Sequence, residues 1–189
     1  NHGVTTMSLG LMIPENESIV WRGPMLMGAL QQMLNQVQWG EQDILFVDLP
    51  PGTGDVQLTL CQKTNLSGAI IVSTPQDIAL LDARKGIDMF KRLDVPILGL
   101  IENMSSFVCS GCGMTHHPFS NGSVKKEAEQ LNTEFLGELP LDLDTRIASD
   151  SGVPIVASQP QNTTALAFVQ LAKTIIKQHL SFGHHEHQT

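Results

Sequence analysis

Short apolar runs of β-forming residues alternate with stretches of helical spacing along most of the sequence. That alternation restricts the fold more than any other feature. Ile44–Val47, Ala69–Val72 and Ile97–Ile101 are short continuous apolar runs of the kind buried on both faces of a sheet. Val4–Met12 and Glu134–Leu139 read as further strands. Between and around them the spacing predicts helices over Pro24–Val37, where Leu26, Met27, Leu30, Met33, Leu34 and Val37 recur at helical intervals, and over Val56–Lys63, Asp77–Leu93, Ser123–Leu131 and Thr163–His179. Strands that alternate with helices fold as βαβ units, so the expected class is α/β, a mostly parallel sheet flanked by helices. No internal repeat and no long linker divides the chain. Residues 1–180 are expected to form a single α/β domain, with 181–189 a polar tail expected to be disordered.

Ligands of such sheets bind beyond the carboxyl ends of the strands, which directs attention to the residues following Asp48, Thr74 and Asn103. A net charge of -8 and scattered basic residues argue against a nucleic-acid partner, because phosphate neutralisation needs clustered Lys and Arg. No apolar run reaches the ~20 residues of a membrane span and no signal peptide is visible, so no membrane partner is expected. Three cysteines do not make a disulfide framework in a chain of 189 residues; reduced thiols and a cytoplasmic setting fit them better.

Asp48-Leu49-Pro50-Pro51-Gly52-Thr53-Gly54-Asp55 follows directly on an expected strand. An Asp at such a strand tip can hold the Mg²⁺ shell of a bound nucleotide. The turn after it can present backbone N–H groups to a phosphate, since Gly52 and Gly54 allow close approach. A tight strand-to-helix turn with Asp55 as N-cap would need the same residues without any ligand.

Cys109-Ser110-Gly111-Cys112 is a Cys-x-x-Cys knuckle. Two thiolates at this spacing can grip one soft metal, yet supply only half of a tetrahedral set. A symmetric dimer would complete the set. So would His116 and His117 within one chain, as a zinc site. A redox pair and a purely structural loop remain open. Cys61, on an apolar helix face, reads as a small core residue. Met25, Met27 and Met33 read as core filling or a partner surface. Trp21 and Arg22 fit either an exposed pair or a packed turn. Gln76 and Asp77 fit a nucleotide contact or a helix cap, and His184, His185 and His187 belong to the tail.

Trp21-Arg22-Gly23-Pro24, the string from Asp48 to Asp55, Ser73-Thr74-Pro75-Gln76-Asp77, Glu102-Asn103-Met104-Ser105, the Cys109/Cys112 pair and Leu139-Pro140-Leu141-Asp142 occur in one order over nearly the whole chain. In them the sequence resembles the Mrp/ApbC family of deviant-Walker ATPases, relatives of ParA and MinD. The resemblance implies a P-loop NTPase type of fold and a homodimer. That dimer would bind a [4Fe–4S] cluster between Cys109 and Cys112 of two copies and pass it to apoproteins, with ATP and Mg²⁺ as cofactors of the full-length protein. It implies that Asp48 belongs to the Mg²⁺ and switch region, with Gly52 and Gly54 beside it. Asn103 would hydrogen-bond the adenine, for which its amide has both a donor and an acceptor, and Pro140 would pack near the base. As a strand-end turn residue, Asn103 has a second explanation. Two other functions fit parts of the pattern: a ParA/MinD-like positioning ATPase, and a zinc-stabilised module with a degenerate nucleotide site.

No segment reads G-x-x-x-x-G-K-[ST], the loop that cradles phosphates in this family. The chain opens at Asn1 rather than Met, within an expected strand. Both features read as the C-terminal part of a longer protein, with a sheet incomplete at its N-terminal side. This chain alone is then expected neither to bind ATP tightly nor to hydrolyse it. Unpaired sheet edges should remain.

Overall fold

The structure, a computed structural model, describes residues 2–12, 23–50 and 52–179. Trp21, Arg22, Pro51, His184, His185, His187 and the expected tail lie outside the described residues. The chain divides into two compact units, Asn1–Leu66 and Ser67–Thr189.

In the first unit α1 (Gly23–Asn35) packs against α2 (Asp55–Lys63). Leu30, which the helical spacing selects, is buried along α1 beside Ala29, which it does not, and Leu60 is buried along α2. The expected strands of this unit are not formed. Val4–Met12 holds a single 3₁₀ turn at Leu9–Met12, closed by Leu11 N–H on the Ser8 carbonyl at 3.1 Å. Ile44–Val47 pairs with nothing among the described residues, and Leu45 and Phe46 are 47% and 70% exposed. Apolar character alone does not make a strand; the backbone groups need a ladder partner, and this segment has none here.

The second unit carries the sheet. Its strands are β1 (Ala69–Ser73), β2 (Ile97–Val108), β3 (Thr115–His116) and β4 (Phe135–Leu141). The central strand, β2, pairs in parallel with β1 on one side and β4 on the other, and its far end turns back antiparallel to β3. Sequence spacing ends β2 at Ile101; in the structure it continues for seven more residues, so Asn103 lies inside a strand rather than at its tip. The polar residues Asn103, Ser105 and Ser106 conceal that continuation. Among the described residues the outer edges of β1 and β4 are unpaired.

Successive residues of β2 face opposite layers. Ile101 joins Leu136, Leu139 and Leu171 in a core closed by α7 (Thr163–His179), with Ile70, Ala167 and Ile175 around it. On the other face lie α3 (Asp77–Arg92) and α4 (Ser123–Gln130). Two short helices that the sequence pattern does not announce, α5 (Leu143–Asp150) and α6 (Ile155–Ser158), lead from β4 to α7. Asp142 caps α5, its Oδ2 accepting from Thr145 N–H at 3.0 Å and Thr145 Oγ1–H at 2.6 Å. The expected caps Asp55 and Asp77 are instead the first helical residues of α2 and α3, after Gly54 and Gln76. There a carboxylate still favours the positive end of the helix dipole.

α3 and α4 are tied by one ion pair. Arg84 Nε and Nη2 donate to the two carboxylate oxygens of Glu127 at 2.6 and 2.5 Å, and Glu127 is nearly buried. The hydrogen bond from Arg84 holds the Glu127 carboxyl below its ordinary range, against an opposing push from burial. Folding thus gains from an ionised Glu127 above the ordinary carboxylate pKa, and that gain fades as pH falls through the lowered value. Because Arg84 is half exposed, Glu127→Gln should cost only about 1 kcal/mol at pH 7. Urea unfolding at a series of pH values should show the difference shrinking below about pH 4.

Candidate functional site

The residues singled out by sequence fall in three places. In the first unit, Asp48 is exposed and ends the unpaired Ile44–Val47 segment. After it the chain turns sharply: Gly52 takes φ 99°, a conformation few side chains tolerate, and Gly54 takes an extended φ of -89° as the N-cap of α2. The turn is braced from inside. Gln57, buried on the first turn of α2, donates from Nε2 to the Pro50 carbonyl at 2.6 Å. Among the described residues no side chain caps α2, so the N–H groups of its first turn are open to an anion. A mainly apolar groove of about 650 Å³, bounded by Leu26, Leu30, Phe46, Val47 and Asp48, runs beside this turn.

The second place is where β2 and β4 run side by side. Asn103 is the ladder partner of Leu139, which sets Pro140 one residue further along the neighbouring strand. The structure therefore places Asn103 and Pro140 on neighbouring strands, one residue out of register. Pro140 has no N–H to donate and sits on a strand paired on one side only, where that loss is tolerated. Asn103 Oδ1 accepts from Met104 N–H at 3.0 Å, and Met104 takes φ 56°. The β2–β4 register breaks between Asn103 and Phe107, so the sheet bulges just beyond the Asn103 side chain.

Glu102 has no role that sequence reasoning assigns beyond its place in the Glu102–Ser105 motif. It is fully buried, and its Oε2 accepts from Val124 N–H at 2.9 Å, which caps α4 from the central strand. Its Oε1 has no hydrogen-bond partner among the described residues. A glutamate in a run of strand residues gives no sign that it serves a helix 22 positions later.

The third place is the loop between β2 and β3. Cys109 N–H donates to the Met114 carbonyl at 2.9 Å, and Gly113 N–H to the Cys109 carbonyl at 2.8 Å. Gly113 allows this closure with φ 72°. Cys112 stands exposed at the tip and Cys109 half-buried at the base; both are free thiols. Backbone N–H groups of Cys112 and Gly111, followed by the Cys112 thiol, hold the Cys109 thiol below its ordinary pKa. A thiolate is the form that binds metal. Burial acts the other way on Cys61, half-buried on α2, whose thiol is pushed up.

The two histidines do not join the thiols. His116 is exposed on β3, and His117 Nδ1 meets the Ser105 carbonyl at 2.8 Å. Among the described residues no three or more His, Cys, Asp or Glu side chains gather as a metal site. The Cys₂His₂ arrangement within one chain is therefore not formed. The donor set that remains, two adjacent thiols with one favoured as thiolate, suits a soft metal and is half of a four-sulfur set. Among the described residues no helix is long and apolar enough to cross a membrane.

Residues 1–176 match the family model described as ParA, NUBPL iron-transfer P-loop NTPase. The chain is 49% identical over 178 residues to the iron-sulfur cluster transfer protein NUBPL of Dictyostelium discoideum, covering 94% of this chain and 55% of that protein. It is 46% identical over 178 residues to the iron-sulfur cluster carrier protein of Escherichia coli K12, covering 94% and 48%. Among solved structures it is similar to a nucleotide-binding protein of Archaeoglobus fulgidus in complex with ADP. That likeness has a TM-score of 0.60 and 40% identity, over 68% of this chain and 53% of the other. The chain spans about half the length of the relatives it matches.

Proposed function

Since the chain belongs to the NUBPL iron-transfer family of P-loop NTPases, we propose that it carries an iron–sulfur cluster on Cys109 and Cys112 and delivers it to apoproteins. The observation that supports this most is the thiol loop itself, with two free sulfurs on one turn and backbone donors favouring the thiolate. Each loop offers two ligands, so a [4Fe–4S] cluster needs a second copy, and the working form is a homodimer with the cluster on its two-fold axis. Transfer is then chemically simple. Thiolates of an acceptor replace those of the carrier one at a time, and an exposed loop lets them approach.

Nucleotide is proposed as a second ligand. Asn103 and Pro140 meet the base, while Asp48, Gly52 and Gly54 serve the phosphate and Mg²⁺ side. The bulge beside Asn103 and the uncapped start of α2 support those assignments. Hydrolysis also requires a lysine-bearing Gly-rich loop, absent from the sequence, so the isolated chain is proposed to be inactive toward ATP. Turnover by the purified chain above a buffer blank would contradict that.

Anaerobic reconstitution with ferrous iron and sulfide tests the carrier reading. The expected result is about four iron and four sulfide per dimer, with the dimer dissociating when a chelator removes the iron. Stoichiometric zinc retained through reconstitution, with no iron uptake, would replace the carrier with a zinc-stabilised module.

A further inference from the structure

The thiol loop closes an antiparallel ribbon made of the last residues of β2 and of β3, and the register of that ribbon can be followed inward. Cys109 bonds Met114, Val108 faces Thr115, and Phe107 faces His116. In an antiparallel ladder, opposed residues alternate between exchanging hydrogen bonds and not exchanging them. Counted from Cys109 and Met114, the next exchanging pair is Phe107 with His116, where the paired register ends. Continued one rung further, the same alternation would set Ser105 against Pro118, and proline has no N–H with which to meet the Ser105 carbonyl. The ring of His117 supplies one instead: with its proton on Nδ1 it donates to that carbonyl at 2.8 Å. Ser105 is itself well fixed. It is buried, and its Oγ donates to the Leu139 carbonyl on β4 at 3.3 Å.

We infer that His117 is a positioning residue for the thiol pair: its imidazole replaces the donor that Pro118 lacks and clamps the Cys109–Met114 loop to the buried part of β2. This rests on the reading that the loop carries a cluster. Without the clamp the loop would be held by β3 alone, two residues long, and two-stranded ribbons of that size are marginal in water. Four sulfurs must stay at fixed separations to keep a cluster, so loosening two of them should show first in cluster retention.

The test uses the reconstituted dimer and the rate at which the ferrous chelator bathophenanthroline removes iron. His117→Ala should lose iron about five- to ten-fold faster, the factor that one lost hydrogen bond makes. His117→Asn keeps an amide N–H near the place of Nδ1 and should stay within about two-fold of the parent. Adding Pro118→Ala to His117→Ala returns a backbone N–H to the rung and should restore most of the retention. Parent-like loss from His117→Ala overturns the inference, as does fast loss from both the Asn and the double variant. If His117→Ala does not fold, those last two variants decide the matter by the same criterion. Iron uptake that survives loss of both cysteines would instead defeat the carrier reading and leave the clamp without a cargo.

Discussion

Replacing Cys109 and Cys112 together by serine should reduce iron uptake from about four per dimer to none, with the visible absorption of the cluster lost in parallel. The effect should be all-or-none because the proposed carrier function gives each chain two thiol ligands, and no third ligand gathers beside them among the described residues. The single variants should differ. Cys109 is the half-buried sulfur whose thiolate is favoured by the N–H groups of Cys112 and Gly111. Serine there would place a hydroxyl in a setting built for an anion, and uptake should fall nearly as far as in the double variant. Cys112 is exposed, so Cys112→Ser should leave the loop conformation intact while still removing one sulfur per chain. Iron and sulfide analysis together with circular dichroism separates ligand loss from unfolding. Retention of more than about half of the iron by the double variant would place the cluster elsewhere.

Gly99→Ala should destabilise the second unit by about 3 kcal/mol, at the upper end of what overpacking costs. A Cβ on Gly99 would lie 2.5 Å from Leu136 Cγ and 2.9 Å from the Glu134 carbonyl oxygen. The leucine could rotate away. The carbonyl cannot, because it accepts the Leu100 N–H at 2.8 Å and so belongs to the β2–β4 ladder. The strand pair would have to separate, and these strands share the most extensive contact in the unit. Gly86→Ala is the matching control. Gly86 lies within α3, where an added methyl would meet nothing within 4 Å, and alanine there should stabilise by up to about 1 kcal/mol through helix propensity. Urea unfolding of the three proteins decides between them; a Gly99→Ala midpoint equal to the parent's would mean the β2–β4 spacing is not as described.

How much of the molecule is legible in its sequence varies with the kind of signal. Long periodic segments are clear: α7 occupies the residues its spacing indicates, and α3 and α4 end one residue short of expectation. Their positions depend on which side chains meet water, a local property. Ile44–Val47 has the composition of a strand, but a strand is a relation between two segments, and composition does not reveal whether a partner is at hand. The end of β2 is hidden for the opposite reason: Asn103, Ser105 and Ser106 look like loop residues, yet the strand runs on through them to Phe107, which pairs with His116 on one side and Leu141 on the other. At the site, the two thiols on one turn follow from their motif. Glu102 and His117 do not, since their partners, Val124 and Ser105, lie 22 and 12 residues away and involve backbone groups that every residue possesses. A Cys-x-x-Cys followed by two histidines favours a metal tetrad on paper; only the direction of one imidazole shows that it is engaged elsewhere.

The length of β2 has a mechanical meaning. Asn103 and Cys109 lie six residues apart on one backbone, at most about 20 Å at the rise of an extended chain and less where Met104 turns. A lever of that length magnifies small rotations. Tilting it by about ten degrees at the Asn103 end would sweep the sulfur through roughly 3 Å, whereas metal–ligand distances hold to about 0.2 Å. Whatever grips the polar end of this strand therefore has leverage over the grip at its tip.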